Sequence, residues 1–291
     1  MNYIETSDGT WLYTKCLGEG RPVVLIHGWP LSADSWDPQM IALAEAGYQA
    51  IAYDRRGFGR SNQPSSGYDY DTFADDLAEV MKATGAENDV ALVGFSMGGG
   101  EIARYMSRHG GKGVSQAVLI SSVVPYMLQT EDNPDGVPQE AFDQMAAGMR
   151  EDFRQFFTSF FRDFYGVGWV TQPVSDEELR WAWSTAMMAG QYATLQSAKA
   201  FATTDFRPDL SHFNVPTLVI HGTADKTVPI DATARVVAER VPGATLIEYE
   251  GEAHGVFATQ QGRLTQDLLD FLGKTRDSTP VSYEEAVIAA K

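Results

Sequence analysis

One cysteine, Cys16, cannot close an internal disulfide, and no Cys or His cluster has the spacing of a structural zinc site. A disulfide scaffold and a zinc module are therefore excluded, and a reducing compartment, the cytoplasm, is the expected location. Basic residues are scarce: 22 Lys and Arg stand against 39 Asp and Glu, for a formal net charge of −17. A field of that sign repels phosphate backbones and anionic lipid surfaces, so neither nucleic acid nor membrane is expected as a partner. Long apolar runs are missing as well. Nothing approaches the ~18 consecutive apolar residues of a bilayer span. The opening MNYIETSDGTWLY lacks the basic segment and apolar stretch of a secretory leader.

What is present suits a folded chain. Hydrophobic residues make up 44% of its 291 residues, with 27 Gly and 13 Pro spread along the length, enough for one large domain or two small ones. Short runs rich in Val, Ile and Leu recur at 23–26, 50–53, 90–93, 117–120, 217–220 and 244–249 and read as buried strands. Between them lie helical apolar periods, such as Ile102, Tyr105 and Met106, or Leu264, Leu268, Phe271 and Leu272. Strands alternating with helices predict right-handed crossovers and a mostly parallel sheet covered on both faces, an α/β fold. The first segment, 3–6 and 10–17 around Asp8-Gly9, reads instead as an antiparallel hairpin.

That rhythm breaks across residues 125–210. No strand run occurs there, and Phe153, Phe156, Phe157, Phe160, Phe161, Phe164, Trp181 and Trp183 crowd helical stretches. Turn signals punctuate both ends, Asn133-Pro134-Asp135-Gly136 and Arg207-Pro208-Asp209. The expectation is a core from 1–124 and 211–273, a helical cap from 125–210 resting on the top edge of the sheet, and a polar tail from 274–291 with a short helix.

The strongest motif is Gly94-Phe95-Ser96-Met97-Gly98, placed between a strand run and a helical pattern. A serine at a tight strand-to-helix turn sits in strained backbone, and glycines two residues either side remove side chains that would strike the neighbouring strand and helix. The hydroxyl is lifted above the sheet, and the helix amino terminus favours negative charge beside it. A serine at neutral pH needs a base and a third group to hold that base.

Five histidines compete for the role of base: His27, His109, His212, His221 and His254. Chain order in sheet hydrolases runs serine, acid, histidine, and His254, in the glycine-flanked loop after the last strand run, fits it. The acid is then Asp225, just beyond the strand at 217–220. Asp231 is the rival, read more simply as a helix-start carboxylate two residues after Pro229. The oxyanion hole requires two backbone N–H groups, which Met97 and Trp29 supply, with Gly28 allowing the close approach of the earlier loop.

Taken together, the segments HGWP, DRRGFGRS, GFSMGGGE, HGTADKTVPI and EGEAHGVF resemble the α/β-hydrolase superfamily across roughly residues 2–273. More narrowly, the chain is similar to the cofactor-free bacterial haloperoxidases, also called non-haem chloroperoxidases or perhydrolases, and to related aryl esterases and lactonase-like or lactamase-like hydrolases. The resemblance implies Ser96, Asp225 and His254 as a catalytic triad, Trp29 and Met97 as the oxyanion hole, and Met127, Phe160, Phe164 and Val228 as the acyl-pocket lining. Pro30 matches the haloperoxidase form of the oxyanion loop. No cofactor, metal or nucleotide site is implied: Gly57-Phe58-Gly59 belongs to a turn, and Gly98 to Gly100 lack the Lys-Ser/Thr of a phosphate loop. Relatives of this kind often form homo-oligomers.

The expected chemistry is acyl transfer from a small ester or carboxylic acid through an acyl-enzyme on Ser96, with water giving hydrolysis and hydrogen peroxide giving a peracid. The aromatic cap is expected to favour small apolar acyl groups. Three alternatives stay open: a lactonase or lactamase, a lyase or carbon–carbon hydrolase on the same triad, and a ligand-binding receptor with negligible turnover. Aspartate-nucleophile relatives are disfavoured because the elbow residue is Ser96.

Overall fold

The computed structural model describes residues 2–273. The short helix expected within 274–291 lies outside the described residues. Eight strands form one sheet: β1 (Tyr3–Glu5), β2 (Trp11–Leu17), β3 (Arg21–Ile26), β4 (Tyr48–Tyr53), β5 (Val90–Phe95), β6 (Val114–Ile120), β7 (Thr217–Gly222) and β8 (Thr245–Tyr249). Their order across the sheet is β1-β2-β4-β3-β5-β6-β7-β8. The first two pair antiparallel as a hairpin, β2 meets β4 antiparallel, and every later pairing is parallel.

The strand sequences explain this. Every residue of β5 (VALVGF) and of β7 (TLVIHG) is buried. Continuous apolar runs, rather than alternating ones, are what a sheet covered on both faces demands. The covering helices are α1 (Asp37–Glu45), α2 (Tyr70–Ala83), α3 (Met97–Arg108), and later α8 (Ala234–Arg240), α9 (Val256–Thr259) and α10 (Gln261–Gly273). α3 buries Ile102, Ala103, Tyr105 and Met106, and α10 buries Leu264, Leu268 and Leu272, each at helical spacing. Among the described residues, no helix is long and apolar enough to cross a membrane.

Four α-helices lie between β6 and β7: α4 (Gln139–Glu151), α5 (Phe153–Phe164), α6 (Asp176–Met188) and α7 (Gln191–Thr203). α5 starts where the Asp152 carboxylate accepts the N–H groups of Arg154 and Gln155, and α6 where Ser175 accepts that of Glu178. Phe157, Phe161 and Phe164 recur on one face of α5 and are buried. The Phe157 ring sits 5.3 Å from Trp29, 5.0 Å from Phe153 and 5.1 Å from Phe156. The Phe206 N–H donates to the Pro125 C=O (2.8 Å) and the Arg207 guanidinium to the Asp132 carboxylate (2.8 Å), joining the two ends of this stretch.

Register places the functional loops. Ile26 pairs with Gly94, so the chain leaves β3 and β5 side by side, and Gly222 pairs with Tyr249, so it leaves β7 and β8 side by side. These exits share the carboxyl edge of the sheet, where β3 to β5 marks the reversal of strand order that creates a crevice in open α/β sheets. Removing the Phe157 ring leaves a void beneath Trp29. Phe157→Ala is expected to cost about 3–5 kcal/mol, read as a fall in the urea midpoint at unchanged m value.

Candidate active site

Ser96 links β5 to α3 with φ +54° and ψ −117°, a conformation that side-chain-bearing residues rarely adopt. Packing enforces it. A Cβ on Gly94 would lie 2.6 Å from the Gly98 carbonyl group, and one on Gly98 would lie 2.5 Å from the Ile26 carbonyl oxygen, so strand and helix approach each other only because both positions are glycine. The Ser96 N–H donates to the Ile120 C=O (2.8 Å), and the Ser96 C=O accepts from Gly99 (3.0 Å) and Val123 (3.3 Å).

The other two side chains arrive from the loops after β7 and β8. His254 Nε2 lies 2.9 Å from Ser96 Oγ, and His254 Nδ1 lies 2.6 Å from Asp225 Oδ2. An ionised carboxylate only accepts, so Nδ1 carries the imidazole proton and Nε2 accepts the serine O–H. All three residues are buried. Burial alone would push the Asp225 carboxyl up. Electrostatic attraction to the His254 imidazole and hydrogen bonds from His221 and His254 outweigh it and hold the group well below the usual carboxylate range. Its Oδ1 accepts the N–H groups of Thr227 (2.9 Å) and Val228 (2.8 Å). Asp231 is spent elsewhere, on Arg235 at 2.6 Å, in the manner of a surface ion pair.

The His254 backbone is pinned from both sides. Its C=O accepts the Ser121 hydroxyl (3.1 Å), and the next N–H, that of Gly255, donates to the Phe164 C=O (2.9 Å). Its ring lies between Phe95 and Phe164, with centroids 5.0 and 4.9 Å away.

The loop after β3 closes on Ser96 closely enough that a Cβ on Gly28 would sit 3.1 Å from the serine Cβ. Among the described residues, the N–H groups of Trp29 and Met97 donate to no protein acceptor, although both residues are buried. Buried donors are otherwise almost always paired, so these two are available to a charge forming at Ser96. The Gly28 carbonyl is engaged instead, accepting from His27 Nδ1 (2.8 Å) and from the Leu31 N–H (3.0 Å).

His27 is in turn held by Arg55, whose N–H donates to His27 Nε2 (3.0 Å) and whose guanidinium donates to the His27 C=O (2.7 Å). Burial and the Arg55 charge hold the His27 imidazole well below its usual range, so it is neutral. Arg55 pairs with the fully buried Glu101 of α3, which also accepts the Tyr53 hydroxyl. A carboxylate on the serine's own helix thus anchors the loop that carries Trp29. The Trp29 indole N–H donates to the Thr194 C=O of α7 (3.0 Å), tying that loop to the helices above.

Ser96 and His254 open into a cavity of about 950 Å³ walled largely by Trp29, Val123, Met127, Met145, Phe160 and Val228. Met127, Phe160 and Val228 line this cavity, and Phe164 is fully buried, packed on His254 and Phe95. The last turn of α5 presents Asp163 to the cavity and Phe164 to the imidazole. The volume lies near the top of the ~300–1,000 Å³ range for sites that hold drug-sized ligands, larger than a small acyl group needs. Glu151, Asp152, Asp163 and Lys226 also reach the lining. Among the described residues, no group of three or more His, Cys, Asp or Glu side chains is placed to hold a metal ion.

Sequence reasoning missed Tyr53, Arg55 and Glu101, because their relation to the loop after β3 exists only once strands and helix are packed. Glu101→Ala leaves the Arg55 guanidinium buried and unpaired. A loss of about 3–5 kcal/mol in urea unfolding is expected.

The α/β hydrolase fold family matches residues 21–260. A non-heme chloroperoxidase of Kitasatospora aureofaciens is 43% identical over 276 residues, covering 94% of this chain and 100% of that protein. A bifunctional esterase/perhydrolase of Acinetobacter calcoaceticus is 40% identical over 275 residues, covering 94% and 99%. The crystal structure of a bromoperoxidase from Bacillus anthracis superposes with a TM-score of 0.89 at 41% identity, covering 93% of this chain and 98% of that one.

Proposed function

The chain belongs to the α/β-hydrolase family, and from that premise we propose that it is a serine hydrolase of carboxylic esters with perhydrolase activity. The observation that carries this reading is the unbroken hydrogen-bonded line from Asp225 through His254 to Ser96, ending in a cavity beside two unpaired backbone donors. Ser96 Oγ attacks the ester carbonyl as His254 Nε2 takes its proton, and Asp225 holds the imidazole tautomer and stabilises the imidazolium. The N–H groups of Trp29 and Met97 receive the oxyanion, each donor typically contributing about 3–4 kcal/mol. His254 then protonates the departing alcohol, leaving an acyl-enzyme.

Water, activated by the same imidazole, releases the acid. Hydrogen peroxide in its place releases a peracid, which oxidises halide in solution away from the protein. This route asks nothing of a cofactor. It also accounts for why proteins similar to this chain carry the names chloroperoxidase and esterase/perhydrolase.

The lining argues for the donor's charge and size. Glu151, Asp152 and Asp163 stand on it against Lys226, so a neutral ester is favoured over a free carboxylate as acyl donor. The large apolar wall of Val123, Met127, Met145 and Phe160 accommodates more than an acetyl group. In a panel of p-nitrophenyl esters, hexanoate is expected to give kcat/KM at least equal to acetate; a steep fall from acetate to butyrate would reject the large-pocket reading.

Ser96→Ala is expected to lower kcat for ester hydrolysis by about 10⁶ and to abolish peracid formation in parallel. Asp225→Asn, which keeps the shape but allows the wrong imidazole tautomer, is expected to lower kcat by about 10⁴. Steady-state rates with and without peroxide test both. Retention of either activity by Ser96→Ala would reject the shared acyl-enzyme.

A further inference from the structure

His221 is the penultimate residue of β7, wholly buried, and takes no part in the chemistry described above. Its Nε2 lies 2.9 Å from the Val228 carbonyl oxygen and 3.2 Å from Asp225 Oδ2. Both neighbours are acceptors, so Nε2 carries the proton and is shared between them. Its Nδ1 is buried and makes no hydrogen bond among the described residues.

Two consequences follow for the loop between residues 225 and 228. First, Asp225 accepts three hydrogen bonds, from Thr227 and Val228 N–H on Oδ1 and from His254 on Oδ2, and His221 Nε2 stands 3.2 Å from Oδ2 as a fourth polar contact. A carboxylate has about four lone-pair sites, so its rotation about the Cβ–Cγ bond would break at least one bond whichever way it turned. Second, Val228 is held at both ends of its backbone. Its N–H donates to Asp225 and its C=O accepts from His221, while its side chain stands on the cavity wall.

We propose that His221 is a positioning residue: its single shared N–H fixes the plane of the Asp225 carboxylate toward His254 and, through the Val228 carbonyl, locks the adjoining cavity wall to the same carboxylate. It touches neither substrate nor Ser96. The proposal rests on the Ser96–His254–Asp225 reading. The charged and titratable groups around His221 are Asp225, His254 beyond it, and Glu248 at the paired position on β8, which is neutralised by Arg235 of α8 at 2.8 Å.

The test compares His221→Gln, whose amide nitrogen reaches the place of Nε2 and donates, with His221→Leu, which fills the space and cannot. Ester hydrolysis by the full chain is followed from acid to alkaline pH, with thermal unfolding in parallel. His221→Leu is expected to lower kcat by about 10- to 100-fold with KM changing much less, and His221→Gln to recover most of that loss. With one donor fewer, Asp225 accepts more strongly from His254 and favours the imidazolium, so the acid limb of kcat/KM in His221→Leu moves to higher pH. In His221→Gln it stays in place.

A purely structural role would lower the unfolding temperature in both variants without displacing that limb, and this result would overturn the proposal. So would a His221→Leu enzyme with wild-type kcat. If the leucine variant does not fold, His221→Met, whose flexible thioether fills irregular space, carries the same comparison. Ser96→Ala separates the two readings: activity surviving that change rejects the triad itself, whereas its loss beside a wild-type His221→Leu rejects the positioning role alone.

Discussion

The close contact between the end of β5 and the start of α3 governs the rest of the site. Two positions without side chains let the helix begin almost against the strand backbone, and Ser96, caught between them, is forced to φ +54°. Strain of this kind persists only where the surroundings over-determine it. Here the serine N–H and C=O are both tied down, to Ile120 on one side and to Gly99 and Val123 on the other. The same contact sets where the helix amino terminus falls, and so leaves the Met97 N–H free beside the hydroxyl.

Around that turn, buried charges form two networks that belong to different halves of the site. Asp225 is stabilised by a full set of donors, and Arg55 by Glu101 and the carbonyl of His27. Charges in such places are tolerable only when every lone pair or proton has a partner, and satisfying them rigidifies what they touch. One network fixes the orientation of an imidazole, the other the orientation of a peptide group. Neither depends on loop stiffness alone.

Much of the arrangement could be read from the chain itself, for identifiable reasons. The strand runs at 90–93 and 217–220 are unbroken because both sheet faces are covered, and each lies inside an observed strand, β5 and β7. Ser96 announces itself through Gly94 and Gly98, whose absence of side chains is a local necessity. Asp225 and His254 are reached through their positions after strands, and the structure brings both side chains together with Ser96. What depended on side-chain direction in the packed state was less legible. Phe160 and Phe164 are one helical turn apart on α5, yet Phe160 meets the cavity while Phe164 packs on the His254 ring. Pocket size was out of reach for the same reason: the count of large residues does not say how far apart four helices hold them. His221 was visible as a histidine but not as a neighbour of Asp225, since the turn through residues 222–228 determines that meeting.

The backbone bond from Phe206 to Pro125 has an evolutionary consequence. It clasps two points of the chain some eighty residues apart in sequence so that, to the sheet, everything between them is a closed excursion from one place. Closing a longer excursion adds only a slowly growing entropic cost. Helices between β6 and β7 can therefore be lengthened or trimmed by selection wherever they do not carry the bonds from Phe164 to Gly255 and from Thr194 to Trp29. A lineage built on this clasp can diversify its substrates by rewriting the roof and leaving the foundations alone.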